Sequence, residues 1–255
     1  MRSAPPLPDA AAGEKPFLDH LEDLRRTLIR ALCAFFAVFL LCVPLTLRGW
    51  TMRILKRPLA AATAGGAAAT LPTLAPAGGF SVAMKISLES ALVLSLPLLL
   101  LIVGGFVLPA LTRRERGLFA PALACGAALF YAGILFGYFT TLPWALGFFW
   151  GFNRMMGIEN LWTINEYVAF ASRLLLAFGL VFEFPLVVLI LVKAGILSRQ
   201  SLSGKRGYAI VIIFVLAAVL TPGPDAVTQC LMAAPLLLLY EACIWGARLI
   251  ERRAG

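Results

Sequence analysis

Histidine is almost missing from this chain: there is one, His20, in 255 residues. A site built on several histidines is therefore excluded. The five cysteines, Cys33, Cys42, Cys125, Cys230 and Cys243, each lie in or beside an apolar run, and no two form a CxxC. That argues against a disulfide framework or a thiolate metal site and for small buried hydrophobes. The phosphate-cradling GxxxxGKS/T, the zinc-binding HExxH and the nucleophile elbow GxSxG are absent, which weighs against a membrane enzyme. No metal and no cofactor is expected. Charge is scarce, 14% of residues, and acids are outnumbered 13 to 22 by lysine and arginine. The net +9 does not point to nucleic acid, because the bases sit in short clusters between apolar runs. Lipid headgroups and membrane topology account for such clusters.

What the chain has is apolar length. Hydrophobic residues make up 61% of it, and no loop is long enough to fold alone. This is the composition of an all-α, polytopic membrane protein. Six runs stand out, and they predict transmembrane helices at about 28–48, 88–111, 118–141, 167–192, 207–222 and 226–247. The third run carries no charge from Gly117 to Asn153. That is too long for one span, so a non-cytoplasmic loop is placed around 143–152. The fifth run ends in Pro-Gly-Pro and the sixth meets Glu241 early. Both spans are short, and short spans thin the bilayer or need shielding by partners. Residues 1–16 are Pro/Ala-rich, lack an apolar signal core and read as a disordered tail. Residues 17–250 form one transmembrane domain, and 251–255 are a second tail. The external loop 51–80 contains AAATAGGAAAT and reads as part helix, part linker.

Six spans put both termini on one side. Fifteen lysines and arginines fall on that side and six on the other, with Arg173 inside a span. The positive-inside bias makes that side cytoplasmic, although four bases within 48–57 run against it.

A few charges then need explaining. Glu183 is the only charge in the nineteen residues 174–192. A central carboxylate costs about 2.5–3.5 kcal/mol on insertion scales, so such acids are functional by default. The bland alternative is a structural bond to a neighbouring helix. In the segment 17–28, FLDHLEDLRRTL, the apolar residues Phe17, Leu21, Leu24 and Leu28 repeat at helical spacing. The bland reading is an interfacial helix in which Glu22 pairs with Arg25 or Arg26. The sharper one leaves a carboxylate free for a cation. Glu115 sits among three arginines in FVLPALTRRER (106–116). Asp225, in TPGPDAVTQ (221–229), suits a helix cap.

The segments HLEDLRRTL (20–28), FVLPALTRRER (106–116), LLLAFGLVFEFPL (174–186), TPGPDAVTQ (221–229) and LLYE (238–241) stand in the order seen in TatC, which the chain resembles over about residues 17–250. TatC is the polytopic subunit of the twin-arginine protein translocase of the cell (inner) membrane. The resemblance implies a cupped six-helix bundle with cytoplasmic termini. It implies binding of signal peptides with two consecutive arginines, export of folded proteins on the proton-motive force, and oligomers with small single-span TatA/TatB-type subunits. By motif position, the signal-binding acid falls on Asp23, beside Glu22 and with Arg25 after it. The acid of the first cytoplasmic loop falls on Glu115, near Phe106 and Pro109. The intramembrane glutamate is Glu183, the proline of the first external loop Pro58, the lysine before the second span Lys85, and the third external loop's acid Asp225. Asp23 replaces the family's usual glutamate, so either it or Glu22 meets the ligand. Gly104-Gly105 stands where a bulky residue is common. Glu89 and Arg173 are not family features.

A guanidinium fork matches a carboxylate with two parallel bonds that lysine cannot copy, so two adjacent arginines call for two acceptors. Asp23 and Glu115 supply them in this reading, while Glu183 bonds a polar side chain of a single-span partner. The competing class is an ion-coupled secondary transporter with Glu183, Arg173 and Glu89 as a relay. It predicts an internal repeat, which spans 1–3 and 4–6 do not display. A purely structural scaffold is the third reading.

Overall fold

The computed structural model describes residues 14–63, 71–107, 113–193, 197–220 and 225–254; of these, 14–20, 107, 113–118, 199 and 249–254 are described in their backbone alone. All regular structure among the described residues is helical. Helix α1 (Glu14–Leu47) has 34 residues, about 51 Å at 1.5 Å per residue. That exceeds a hydrocarbon core of about 30 Å. The amphipathic segment 17–28, expected as a separate interfacial helix, is instead the first part of α1. No glycine or proline lies between Phe17 and Cys33 to break it. The acidic motif therefore stands on the axis of the first span.

Gly49, at φ +75°, turns the chain into α2 (Trp50–Ala62), a left-handed conformation that glycine adopts without steric cost. Helix α3 (Gly78–Val107) follows, then α4 (Arg113–Phe136). A π turn at Gly137–Thr141 joins α4 directly to α5 (Leu142–Met155). The loop expected around 143–152 is thus helix. The missing N–H of Pro143 falls just beyond the π turn, where the helix shifts its register, so the chain stays helical. Helices α6 (Ile164–Val181) and α7 (Phe184–Lys193) are one apolar run interrupted at Phe182–Glu183. Helices α8 (Arg199–Gly204), α9 (Arg206–Leu220) and α10 (Ala226–Ala254) complete the order.

Among the described residues five stretches are long and apolar enough to cross a membrane: Leu21–Leu47, Gly78–Phe106, Phe119–Met155, Ile164–Lys193 and Ala226–Arg248. The chain is a multi-pass membrane protein. Of its expected fifth span, 207–222, residues 221–222 lie outside the described residues and the rest is in α9, an apolar helix of 15 residues that opens on Arg206 and is about 22 Å long. That is less than one hydrocarbon thickness. The surface bears out a lipid solvent: Leu41, Phe139, Val219 and Leu238 are all exposed. Cys42 and Cys243 are buried as expected, but Cys33, Cys125 and Cys230 are exposed on apolar helices. In lipid an exposed small hydrophobe carries no penalty, so the burial rule of water-soluble proteins fails for them.

The core is centred on α6, whose Val168, Ala171, Leu174 and Phe178 have no exposed surface. Helix α1 packs chiefly on α3, α4 on α6, α10 on α7 and α9, and α2 on α5. Helices α4 and α6 meet backbone to backbone at Gly133, where a Cβ would lie 2.4 Å from the Phe178 carbonyl oxygen.

Prolines inside helices free carbonyls four residues earlier, and tyrosines fill two of these vacancies. Pro97 releases Val93, whose carbonyl accepts from the Tyr131 hydroxyl at 2.9 Å. Pro58 releases Ile54, which accepts from Tyr138 at 2.7 Å. In lipid no water can take that place.

Candidate functional site

The first candidate stands on the N-terminal part of α1. Glu22 is occupied: its Oε1 accepts from Arg26 Nε at 3.1 Å, and Arg25 Nη1 lies 3.6 Å from Oε2. All three side chains are well exposed, so these pairs contribute only a few tenths of a kcal/mol. Asp23 is also exposed, and among the described residues it makes no hydrogen bond or ion pair. Adjacent helical positions point about 100° apart, so one acid meets the following arginines and the other does not. Phe106 is half-buried near the end of α3. Below it, Gly104 lies under the Phe119 ring, where a Cβ would be 2.9 Å from Cε1; this explains a glycine where bulk was expected. Pro109 and the Glu115 side chain lie outside the described residues, so the pairing of Asp23 with Glu115 rests on sequence.

The second candidate is Glu183, at the break between α6 and α7. Pro185 has no N–H to give the Val181 carbonyl, and the Glu183 N–H bonds Leu180 at 3.1 Å instead. The half-buried carboxylate faces α4 at Gly126, where a Cβ would sit 3.1 Å from Oε2 and 3.1 Å from Leu186 Cδ2. Glycine at 126 is what leaves room for the acid between two helices. Among the described residues nothing hydrogen-bonds or pairs with the Glu183 side chain.

A third feature went unread in the sequence. Helices α2, α3 and α6 and the π turn enclose a groove of about 790 Å³, lined by Trp50, Ile54, Leu94, Tyr138 and Leu176 among others. Its acid, Glu89, accepts a hydrogen bond from Ser172 Oγ of α6 and lies 4.0 Å from Lys85 Nζ. The signal was there, since Lys85 and Glu89 stand four apart on one helix face. Ser172 could be assigned only once α3 and α6 were side by side. Arg173 is exposed, and among the described residues no bond links it to Glu89 or Glu183. The three charges of the transporter reading are not assembled into a relay.

The remaining expected positions are structural in their geometry. Pro58 is buried inside α2. Asp225 caps α10, its Oδ1 accepting from the Thr228 N–H at 2.7 Å and its Oδ2 bonding Thr228 Oγ1 at 2.5 Å. Two further ties hold the short α9 to the long α10, whose apolar stretch Ala226–Arg248 of 23 residues is longer than the short sixth span expected. Gln229 Nε2 donates to the Phe214 carbonyl at 2.9 Å, and Arg206 Nη2 to Glu241 Oε2 at 2.9 Å. Among the described residues no three potential metal ligands cluster.

This architecture has relatives. The family model for the Sec-independent protein translocase protein TatC matches residues 19–235. A TatC protein of Akkermansia muciniphila is 44% identical over 76% of this chain, which spans 56% of that relative's length. One of Desulforapulum autotrophicum is 38% identical over 94% of the chain and 87% of the relative. A chloroplastic TATC protein of Arabidopsis thaliana is 35% identical over 96% of the chain and 69% of the relative. Among solved structures, a crystal structure of the twin arginine translocase receptor TatC superposes with a TM-score of 0.75. It is 35% identical and matches over 91% of this chain and 99% of that one.

Proposed function

The chain belongs to the TatC family of Sec-independent protein translocase proteins, and from that premise we propose that it is the twin-arginine receptor subunit of its translocase. It binds signal peptides bearing two consecutive arginines and passes folded proteins across the membrane on the proton-motive force. It lies in the cytoplasmic (inner) membrane, residues 17–250 forming one transmembrane domain with both termini in the cytoplasm. The shorter α9 serves as a sixth span in a locally thinned bilayer. Its partners are small single-span TatA/TatB-type subunits, and it works in oligomers.

The observation that carries this reading is the division of labour between neighbouring acids. Glu22 is held by Arg25 and Arg26, while Asp23 faces outward with no pair among the described residues. Asp23 and Glu115 each receive one guanidinium of the signal. Lysine has the charge but not the planar fork. Purified protein is therefore expected to retain a twin-arginine signal peptide at least about tenfold better than its twin-lysine version. Equal retention of the two would count against recognition by carboxylates.

Glu183 has a different task in this reading. A half-buried carboxylate without a partner among the described residues, at a helix break in lipid, favours a neighbour that donates a hydrogen bond. A polar side chain on a single-span partner supplies it. Such bonds contribute about 0.6–2 kcal/mol. Glu183→Ala is expected to weaken site-directed cross-linking between α7 and the single-span subunit about three- to thirtyfold in apparent affinity. Unchanged cross-linking along this segment would remove Glu183 from the contact.

A further inference from the structure

The loop between α5 and α6 is built with more care than a connection needs. Gly157, at φ +70°, turns the chain out of α5 in a conformation that resists a side chain. Asn153 Nδ2 donates to Asn160 Oδ1 at 2.7 Å, and Asn160 donates to the Trp150 carbonyl. Trp162 then packs edge-on against Trp150, ring centroids 5.6 Å apart. Thr163 and Glu166 close a capping box at the start of α6. These devices hold open a cavity of about 250 Å³ whose walls include Phe149, Asn153, Trp162, Glu166, Tyr167 and Phe170. Four of those six are aromatic.

The chemistry of the walls is one-sided. Glu166 Oε2 accepts from the Thr163 N–H and hydroxyl, but among the described residues nothing donates to Oε1. Asn153 uses its amide N–H toward Asn160, and its own oxygen accepts nothing among the described residues. The Tyr167 hydroxyl donates to the Leu55 carbonyl, so its proton is taken. Four aromatic residues, Leu146, a glutamate and an asparagine line the space, and no lysine or arginine does. Rings of this kind attract cations through their negative faces, most strongly ammonium groups that shed water easily. A single carboxylate among rings is a poor metal site.

We propose that this cavity binds the ammonium group of a zwitterionic phospholipid headgroup, of the choline or ethanolamine type. The source of the ammonium follows from the surroundings. Leu146, Phe149 and Asn153 make one face of α5, and Phe148, Phe152 and Met155 make the next face, which is exposed and apolar. Leu161 is exposed beside Trp162. An aromatic and apolar collar of this type sits at the membrane–water boundary, the depth of headgroups. Arg154, exposed in the last turn of α5 and without an ion pair among the described residues, offers a cation to the phosphate that such a headgroup carries. The site does not depend on signal recognition.

The test is lipid retention by the full-length protein, measured by native mass spectrometry. The protein is equilibrated with equal amounts of phosphatidylethanolamine, phosphatidylcholine and the anionic phosphatidylglycerol. Preference for the two zwitterionic lipids over phosphatidylglycerol is expected to be about fivefold. Glu166→Gln keeps the capping box, which accepts glutamine, and is expected to abolish that preference while leaving the melting temperature unchanged. Phe170→Leu is expected to lower it about threefold by removing one ring. Equal retention of all three lipids by the unaltered protein overturns the proposal, as does a preference that survives Glu166→Gln. Displacement of the bound lipid by an equimolar lysine-containing peptide also overturns it, assigning the cavity to a cationic protein segment.

Discussion

Binding of a twin-arginine signal peptide is expected to fall by about two to four orders of magnitude in the Asp23→Ala, Glu115→Ala double variant. A hydrogen bond to a charged group contributes about 1.5–3 kcal/mol, and two are lost. Each single variant is expected to lose about ten- to a hundredfold, because one guanidinium keeps its acceptor. Glu22→Ala is the control. It frees Arg26, three positions after Asp23 on the same helix, to compete with the peptide for that acid, so a modest loss of a few fold is expected rather than a full one. Isothermal titration with a synthetic peptide, in detergent and at fixed salt, measures the four variants and the unaltered protein. Affinity in the double variant within a few fold of the unaltered protein would remove the rim acids from recognition. Because Asp23 stands on the long first helix and makes no bond among the described residues, its loss is expected to leave the melting temperature unaffected.

Gly133→Leu is expected to destabilise the bundle by about 3 kcal/mol or more. A Cβ at this position meets the Phe178 carbonyl oxygen at 2.4 Å, and Phe182 Cβ and Cγ at 2.8 Å. Two of these three are backbone or the root of a side chain, so nothing can swing away. Helix α4 must back off from α6, which separates Phe136 from Phe178 and Phe182, now 5.8 and 5.7 Å between ring centroids. Gly151 is the matched control, since nothing lies within 4 Å of a Cβ there. Gly151→Leu is expected to leave thermal unfolding in detergent within the helix-propensity gain of under 1 kcal/mol. Equal melting temperatures for the two variants would show that the α4–α6 approach does not limit stability.

The fourth run was expected as one helix over 167–192, and its break at Glu183 rests on local chemistry that the sequence carries: Pro185 lacks an N–H wherever its helix goes. The Asp225 cap was legible for the same reason, since its partner is three residues away. Residues 143–152 misled because an uncharged run from Gly117 to Asn153 is too long for one span, while the backbone stays helical through the π turn into α5. The amphipathic start of α1 misled because its pattern fits both a flat interfacial helix and the projecting end of a long one. Glu89 could not be placed from the sequence, because its partner Ser172 lies 83 positions away.

The sequence by itself determined that this chain is an apolar, helical membrane protein with few, deliberate acids, and its motifs fixed its family. Those properties follow from transfer free energies and backbone chemistry, which each residue carries alone. The tertiary structure decided which tyrosine meets which proline-freed carbonyl, that Glu89 is bound while Glu183 has no partner among the described residues, and that four aromatics line one cavity with Glu166. Such pairings depend on how each helix is rotated and how deep it sits against the next, and no periodicity within one helix records the rotation of its neighbour.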